Sequence, residues 1–443
     1  MKSIRVLVAI FSIFLSTGQA GAINRGLINC ANSCYMNAST QCFSHITPLS
    51  EYLKKNEPTF MHDEESDGIV QYIGLLKDLQ ASTEEQALSE GPLDINTETN
   101  HFHHTIINRI ADWWGLDEQQ DTPEYLEYFL NYLMSKDPNP DFIKQLFLIQ
   151  SHSKVMCASG HLSENAASPD FILKISIPET PNASIESCIE KYFEEEQLTD
   201  ENQYQCDLCN RNVDATKQLS IADAPPYLIV SLNRFKNIEE EIEIQKTESD
   251  EDGNVITDDK GFPVTITENQ IIYVQEKIMQ PVTFDQNLTL PPHIFLDQSI
   301  GNITYSLVGF VVHQGAFGAG HYWAYAKDPR DNTWRKFDDE TVYDAEKLVQ
   351  RIAAAGIEKF NIQSGSESEE EEEDYDENLD GTPYIFFYVR DNLPEELNNY
   401  LVPTFEDPLA KKLRLLKNKL MNLKNRLTTL KKSLEQLKHD LGA

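Results

Sequence analysis

The sequence predicts an α+β fold, and three observations predict it. Residues 104–134 carry aromatics and leucines at helical spacing. Pro225–Phe235, "PPYLIVSLNRF", is an apolar run with Ile and Val bounded by proline, as a buried strand requires. "YSLVGFVVHQG" and "GHYWAYAKD" are two β-rich runs joined by a glycine-rich turn, the pattern of a hairpin. Thr382–Arg390, "TPYIFFYVR", reads as a further buried strand. With 443 residues, 40% of them apolar, the chain has material for one large domain or two or three ordinary ones, which argues against global disorder.

The net charge of −35 repels phosphate and so argues against a nucleic-acid partner; a basic partner suits the chain better. Two segments carry much of this charge. Residues 239–259, within an insert at 236–260, and residues 364–380, with ten acids and no Lys or Arg from 367 on, read as solvated loops between strands.

The two ends differ from the middle. Lys2 and Arg5 precede an apolar run from Val6 to Leu15, and Gly18, Ala20 and Ala22 follow, the layout of a signal peptide over residues 1–22. At about 1.5 Å per residue that run is too short to span a bilayer core of about 30 Å. At the other end, leucines from Leu409 to Leu441 alternate at spacings of four and three, a heptad stripe within residues 405–443. This coiled-coil-like helix is basic, with a net charge of +8 over residues 409–443. Taking Leu413 as position a places Lys417, Lys424, Lys431 and Lys438 at e, which disfavours a parallel homodimer and leaves an acidic partner helix or the chain's own acidic loop at 367–380, ahead of an anionic membrane surface.

Two constellations carry chemistry. In "GLINCANSCYMNASTQ" (Gly26–Gln41) no Gly or Pro follows Cys34 for many residues, so a helix can begin there and place the sulfur at its positive end. Asn29 and Asn32 supply amides for a developing oxyanion. In "HQGAFGAGHYWAY" (His313–Tyr325), His321 opens a strand after a glycine-rich turn. Asp338 follows seventeen residues later on the next strand, and antiparallel pairing of the two would bring the side chains together. An imidazole to take the thiol proton and an acid to orient it are what a cysteine hydrolase needs.

These blocks, in this order, resemble the ubiquitin-specific proteases over roughly residues 26–390. The first is similar to that family's cysteine box, departing at Ala31, where the family has Gly, and Ser33, where it has Thr. "QQDTPEYLEYFL" (Gln119–Leu130), "YQCDLC" with "LNRF", "GHYWAY" with "WRKFDD", and "YIFFYVR" match four more. The resemblance implies a papain-like fold of thumb, palm and fingers, a catalytic domain over 23–395 and fingers at about 155–280. It implies that Cys34 is the nucleophile, His321 the base, Asp338 the orienting acid with Asp339 in support, and Asn29 the oxyanion donor. It places Gln120, Asp121, His313, Gly320 and Tyr322 along the substrate tail. The implied function is a deubiquitinating cysteine isopeptidase acting on ubiquitin and ubiquitinated proteins with no cofactor for catalysis. The alternatives are an isopeptidase for another ubiquitin-like modifier, a catalytically weak ubiquitin-binding protein, and a scaffold assembled through the tail.

Cys206-x-x-Cys209 is half of a tetrahedral zinc site. The family's second pair is incomplete here: Cys157 is present, Gly160 replaces the other Cys, and His161 stands next to it. A structural Zn2+ on Cys157, His161, Cys206 and Cys209 is the resulting expectation. The leader conflicts with a cytosolic substrate, and a sequon at Asn37 would put a glycan beside the nucleophile. The expectation is export by an intracellular bacterium and action in host cytosol, against the alternative of a cytoplasmic protein; a spliced nuclear gene would contradict export.

Overall fold

The helix expected to begin at Cys34 runs from Cys34 to Ser44 and is buried along its whole length. In the computed structural model, residues 25–81, 91–95, 101–247, 260, 263, 265–359 and 380–401 are described, with positions 420, 424, 427 and 431 of the tail. The leader at 1–22, the acidic insert except Asp380, and the tail except those four positions lie outside them. The four tail positions are helical, and Leu420 and Leu427 are more than half exposed. Among the described residues no helix is long and apolar enough to cross a membrane.

Among the described residues six α-helices precede the first strand: α1 (Cys34–Ser44), α2 (Thr47–Phe60), α3 (Asp67–Ala81), α4 (Phe102–Ile110), α5 (Thr122–Lys136) and α6 (Pro140–Phe147). The helical stretch expected at 104–134 is therefore two helices. Gly115 lies in the break, and Pro123 sits in the first turn of α5, where its missing N–H costs nothing. Two further helices described in full, α7 (Ile185–Tyr192) and α8 (Glu346–Ala355), come later.

The main sheet has eight strands: β3 (Ile172–Ser176), β9 (Tyr227–Asn233), β13 (Asn287–Leu290), β14 (Ile303–Ala316), β15 (Ala319–Lys327), β16 (Trp334–Asp338), β17 (Thr341–Asp344) and β18 (Thr382–Arg390). Their order is β17-β16-β15-β14-β18-β9-β3, with β13 on β14, and all pairs but β3–β9 are antiparallel. The expected buried strands and the hairpin are all here, as β9, β18 and β14–β15. Alternate residues face opposite sides. Val311, Ala324, Ile385 and Phe387 pack against α1–α6, while Phe310, Trp323, Trp334 and Phe386 pack with residues of α7 and α8. The sheet is buried on both faces, which is why its strands read as continuous apolar runs.

A second sheet, ordered β2-β1-β8-β5, is built from β1 (Gln150–Cys157), β2 (Leu162–Ala166), β5 (Glu196–Leu198) and β8 (Ala215–Asp223). A hairpin of β6 (Tyr204–Cys206) and β7 (Arg211–Val213) packs with it through Cys157, Cys206, Val213 and Ala215. Short strands β4 (Ala183–Ser184) and β12 (Val282–Thr283) pair in parallel.

One expectation is corrected. Residues 236–247 do not form a solvated loop but most of β10 (Phe235–Thr247), paired through thirteen residues with β11 (Thr265–Lys277). The reason is a period of two hidden beneath the charge. Ile238, Ile242 and Ile244 share one face with Ile272 and Val274, interrupted by Glu240, and Glu239, Glu241 and Glu243 share the other with Ile271 and Tyr273. Residues 248–259 lie outside the described ones.

Arg234, between β9 and β10, anchors this ribbon. Its buried guanidinium donates to the carbonyl oxygens of Pro383, Ile278 and Gln280 at 2.8, 3.0 and 2.9 Å. Replacing it by Met keeps the bulk and strands those acceptors. Arg234→Met is expected to destabilise the protein by about 3 kcal/mol. Urea unfolding should show a lower midpoint at unchanged slope; an unchanged midpoint would contradict this role.

Candidate active site

The loop before α1 is wound tightly. Asn29 Oδ1 accepts from Ser33 N at 2.9 Å, and Ser33 Oγ accepts from Cys30 N at 2.9 Å. Ala31 and Asn32 take positive φ values of 52° and 65°. Asn tolerates that region; Ala pays about 1–2 kcal/mol there, at the position where Gly was the expected residue. The loop delivers Cys34 to the first turn of α1, where unsatisfied backbone N–H groups and the helix dipole favour negative charge on sulfur.

His321 arrives from the opposite side of the cleft. It follows the β14–β15 turn, in which Gly318 has φ 69°. Gly320 has no room for a side chain: a Cβ there would collide with the Gln314 carbonyl and lie 2.6 Å from His313 Nε2. Across β15 and β16, Tyr325 pairs with Lys336, so His321, Trp323, Lys336 and Asp338 share one face. His321 Nε2 and Asp338 Oδ1 are 2.7 Å apart. The hydrogen bond to Asp338, then the contact with Cys34, push the imidazole up to about 10. Burial works to raise the Asp338 carboxyl, but the bond to His321 and the Lys336 charge outweigh it and hold the group below its usual value.

Asp339, at the β16–β17 turn with φ 45°, stands behind the ring, its Oδ2 3.9 Å from His321 Nδ1. Its two oxygens accept from Asn29 Nδ2 and Asn37 Nδ2, each at 2.8 Å. Leu27 N donates to the Asp339 carbonyl at 2.8 Å, tying the nucleophile loop to the turn that carries both acids. Asn37 is buried and bonded here, so its sequon is closed to glycosylation in the folded chain.

Asn29, expected to serve the oxyanion, thus donates to Asp339. The amide that reaches the sulfur is Gln119, absent from the sequence-based assignment. Its Nε2 lies 3.1 Å from Cys34 Sγ and donates to the Gly320 carbonyl at 2.7 Å. The signal was one residue away: Gln119 opens the Gln-Gln-Asp run from which Gln120 and Asp121 were chosen. Gln120 is partly exposed. Asp121 accepts from Tyr384 OH at 2.9 Å and from Tyr322 OH at 3.3 Å, and burial pushes its carboxyl up to about 6. Tyr322 and His313 are buried, their rings 4.4 Å apart, so they form the cleft wall from within, while Gly320 is exposed at its rim.

Far along the chain, Cys157, His161, Cys206 and Cys209 converge, their ligand atoms all within 4.8 Å of one another. Cys157 and Cys209 sulfurs are 4.0 Å apart, and His161 Nδ1 lies 3.6 and 3.3 Å from those of Cys206 and Cys209. Tetrahedral Zn–S and Zn–N bonds of about 2.3 and 2.0 Å require edges of about 3.5–3.8 Å, so the donor set fits zinc. Gly160, with a positive φ of 83°, lies in the turn that brings His161 beside the three sulfurs.

A family model for ubiquitin carboxyl-terminal hydrolase matches residues 25–388. The chain belongs to the ubiquitin carboxyl-terminal hydrolase family. The fold of that family is a papain-like cysteine protease, in keeping with the α+β architecture. Ubiquitin carboxyl-terminal hydrolase 25 of Arabidopsis thaliana is 25% identical, covering 68% of this chain and 42% of its own. Ubiquitin carboxyl-terminal hydrolase Usp2 of Drosophila melanogaster is 23% identical over 72% of this chain and 33% of its own. Human ubiquitin carboxyl-terminal hydrolase 17-like protein 13 is 25% identical over 74% of this chain and 54% of its own. This ubiquitin carboxyl-terminal hydrolase family member therefore spans about a third to a half of the length of these relatives.

Because the folded-state value of His321 lies above its ordinary 6.5, the stability it contributes is complete below about 6.5 and is lost as pH rises through about 10. Unfolding of the wild type and of His321→Gln should therefore converge in stability over that interval. A gap that is constant or widens with pH would contradict the His321–Asp338 pairing.

Proposed function

We propose that this chain is a deubiquitinating cysteine isopeptidase. The observation that carries the proposal is the His321 ring held between Asp338 and the sulfur at the start of α1. Cys34 sulfur attacks the carbonyl carbon of ubiquitin's C-terminal glycine, and the carbonyl electrons move onto oxygen. Gln119 Nε2 and the free N–H groups of the first turn of α1 stabilise that oxyanion. Collapse expels the lysine amine, protonated by His321, and leaves a thioester on Cys34. Water, deprotonated by His321, then attacks the thioester carbon, and its collapse releases the ubiquitin carboxyl group and returns Cys34 as thiolate beside the His321 imidazolium. Asp338 fixes the ring tautomer and balances the imidazolium.

The helical layer α1–α6, the main sheet and the β1–β2–β5–β8 sheet with its hairpin fit a thumb, palm and fingers around this cleft. Asp121 stands where a carboxylate could pair with arginines of the incoming tail by charge-assisted hydrogen bonds. Bound zinc would be structural, held by Cys157, His161, Cys206 and Cys209, and would staple the finger hairpin far from Cys34.

Ubiquitin bearing a C-terminal electrophile should form a one-to-one adduct mapped to Cys34, while other ubiquitin-like modifiers with the same warhead should not. Labelling elsewhere, or of another modifier alone, would overturn the assignment. Gln119→Ala should lower kcat about 10²-fold with little change in KM, since an oxyanion donor acts in the transition state. His161→Ala should abolish stoichiometric zinc measured by mass spectrometry and lower the Tm while labelling of Cys34 persists.

A further inference from the structure

Behind Asp338 lies a buried line of charges that the hydrolysis steps do not use. Lys336 precedes Asp338 by two residues on β16, and its Nζ is 3.4 Å from Asp338 Oδ2. The same ammonium is 3.2 Å from Glu358 Oε1 and 4.4 Å from the centroid of the Trp323 ring. The Lys336 and Glu358 side chains are only 9% and 6% exposed. Glu358 follows α8 and is itself held. Its Oε2 accepts from Trp323 Nε1 at 2.9 Å, and its backbone exchanges hydrogen bonds of 2.8 and 2.9 Å with Gly381, which precedes β18. The sequence thus runs imidazole, carboxylate, ammonium, carboxylate, with each step at contact distance.

Two buried carboxylates close to one imidazole would compete for it, and a lone buried ammonium would repel an imidazolium. An alternating line does neither. We propose that Lys336 and Glu358 are positioning residues for the hydrolase: Lys336 holds Asp338 ionised and turned toward His321, and Glu358 cancels the ammonium's field at the imidazolium. This rests on the active-site assignment above. The other titratable groups facing the line are of several kinds: Tyr325, whose ring centroid lies 6.0 Å from Lys336 Nζ and which Glu358 and Asp338 act on, and His313, which feels His321 from β14. Asp344, Glu346, Lys347 and Arg351 line the cavity behind Asp338, and Asp339 with Cys34 lies on the far side of the ring.

The two residues act on His321 with opposite sign, and a packing role would not. Lys336→Met leaves the carboxylates unopposed, so the imidazolium should persist to higher pH. Glu358→Gln leaves the ammonium unopposed, so it should lose its proton at lower pH. Each shift is expected to be about half to one pH unit, given charges a few ångström apart in a partly buried site. The double variant should return near the wild type.

The readout is the rate at which iodoacetamide alkylates Cys34, followed by mass spectrometry from about pH 5 to about pH 11, where the basic transition reports loss of the His321 proton. Cleavage of ubiquitin carrying a C-terminal fluorogenic amide is measured on the same variants. Opposite shifts in alkylation establish the charge line even if ubiquitin is not cleaved, an outcome that would sink only the substrate assignment. Shifts of the same sign, or kcat losses with no shift, would overturn it. If Lys336→Met does not fold, the downward shift in Glu358→Gln decides alone, and its absence overturns the proposal.

Discussion

The pairing of β15 with β16 is the constraint on which the site depends. It fixes Tyr325 opposite Lys336 and so sets His321 and Asp338 on one face, 2.7 Å apart. Slipping this register by one residue would turn every side chain of one strand to the opposite face and dissolve the pair. Both strands lie inside a sheet buried on both faces, where such a slip would also expose Trp323 and Trp334. The apolar core thereby enforces a polar geometry that the catalytic side chains could not enforce themselves.

The second requirement is that a separate element bring the sulfur to the same point. α1 does so as a fully buried helix packed on β14 and β15, and several of its polar side chains donate hydrogen bonds within the helix or to the loop and turn beside it. Ser39 Oγ donates to the Tyr35 carbonyl at 2.7 Å, and Gln41 Nε2 donates to the Arg25 carbonyl at 2.9 Å. Asn37 reaches Asp339, and Gly26 lies so close to the Asp339 and Glu340 carbonyls that a Cβ would overlap them. The nucleophile loop and the acid-bearing turn are therefore one unit, tied by backbone and side-chain bonds. Strain at Ala31 is tolerated because these ties over-determine the loop.

Much of this was legible in the sequence. Residue type and local pattern marked Cys34, the helix after it, the β14–β15 hairpin and the seventeen-residue step from His321 to Asp338. Of the metal-binding candidates, spacing marked Cys206 and Cys209, and the family resemblance pointed to Cys157 and His161. What was not legible depends on which way a side chain turns. Gln119 rather than Gln120 meets the sulfur because the segment before α5 is irregular, and no period fixes its orientation. Asn29 read as a donor to substrate, and its bond to Asp339, which takes one of its two amide hydrogens, was not legible. His313 and Tyr322 read as cleft residues, yet strand alternation combined with burial on both faces places their rings inside the wall. The β10–β11 ribbon was missed because charge, the usual mark of a loop, covered an alternation of period two.

The central claim is that His321 is locked as an imidazolium between Asp338 and Cys34. It is tested most directly by following the His321 ring nitrogens by NMR in protein labelled at histidine, with His321→Gln to assign the signals. The expected result is that both nitrogens stay protonated until the pH approaches about 10. Loss of the proton near the ordinary value of 6.5, or below it, would contradict the claim.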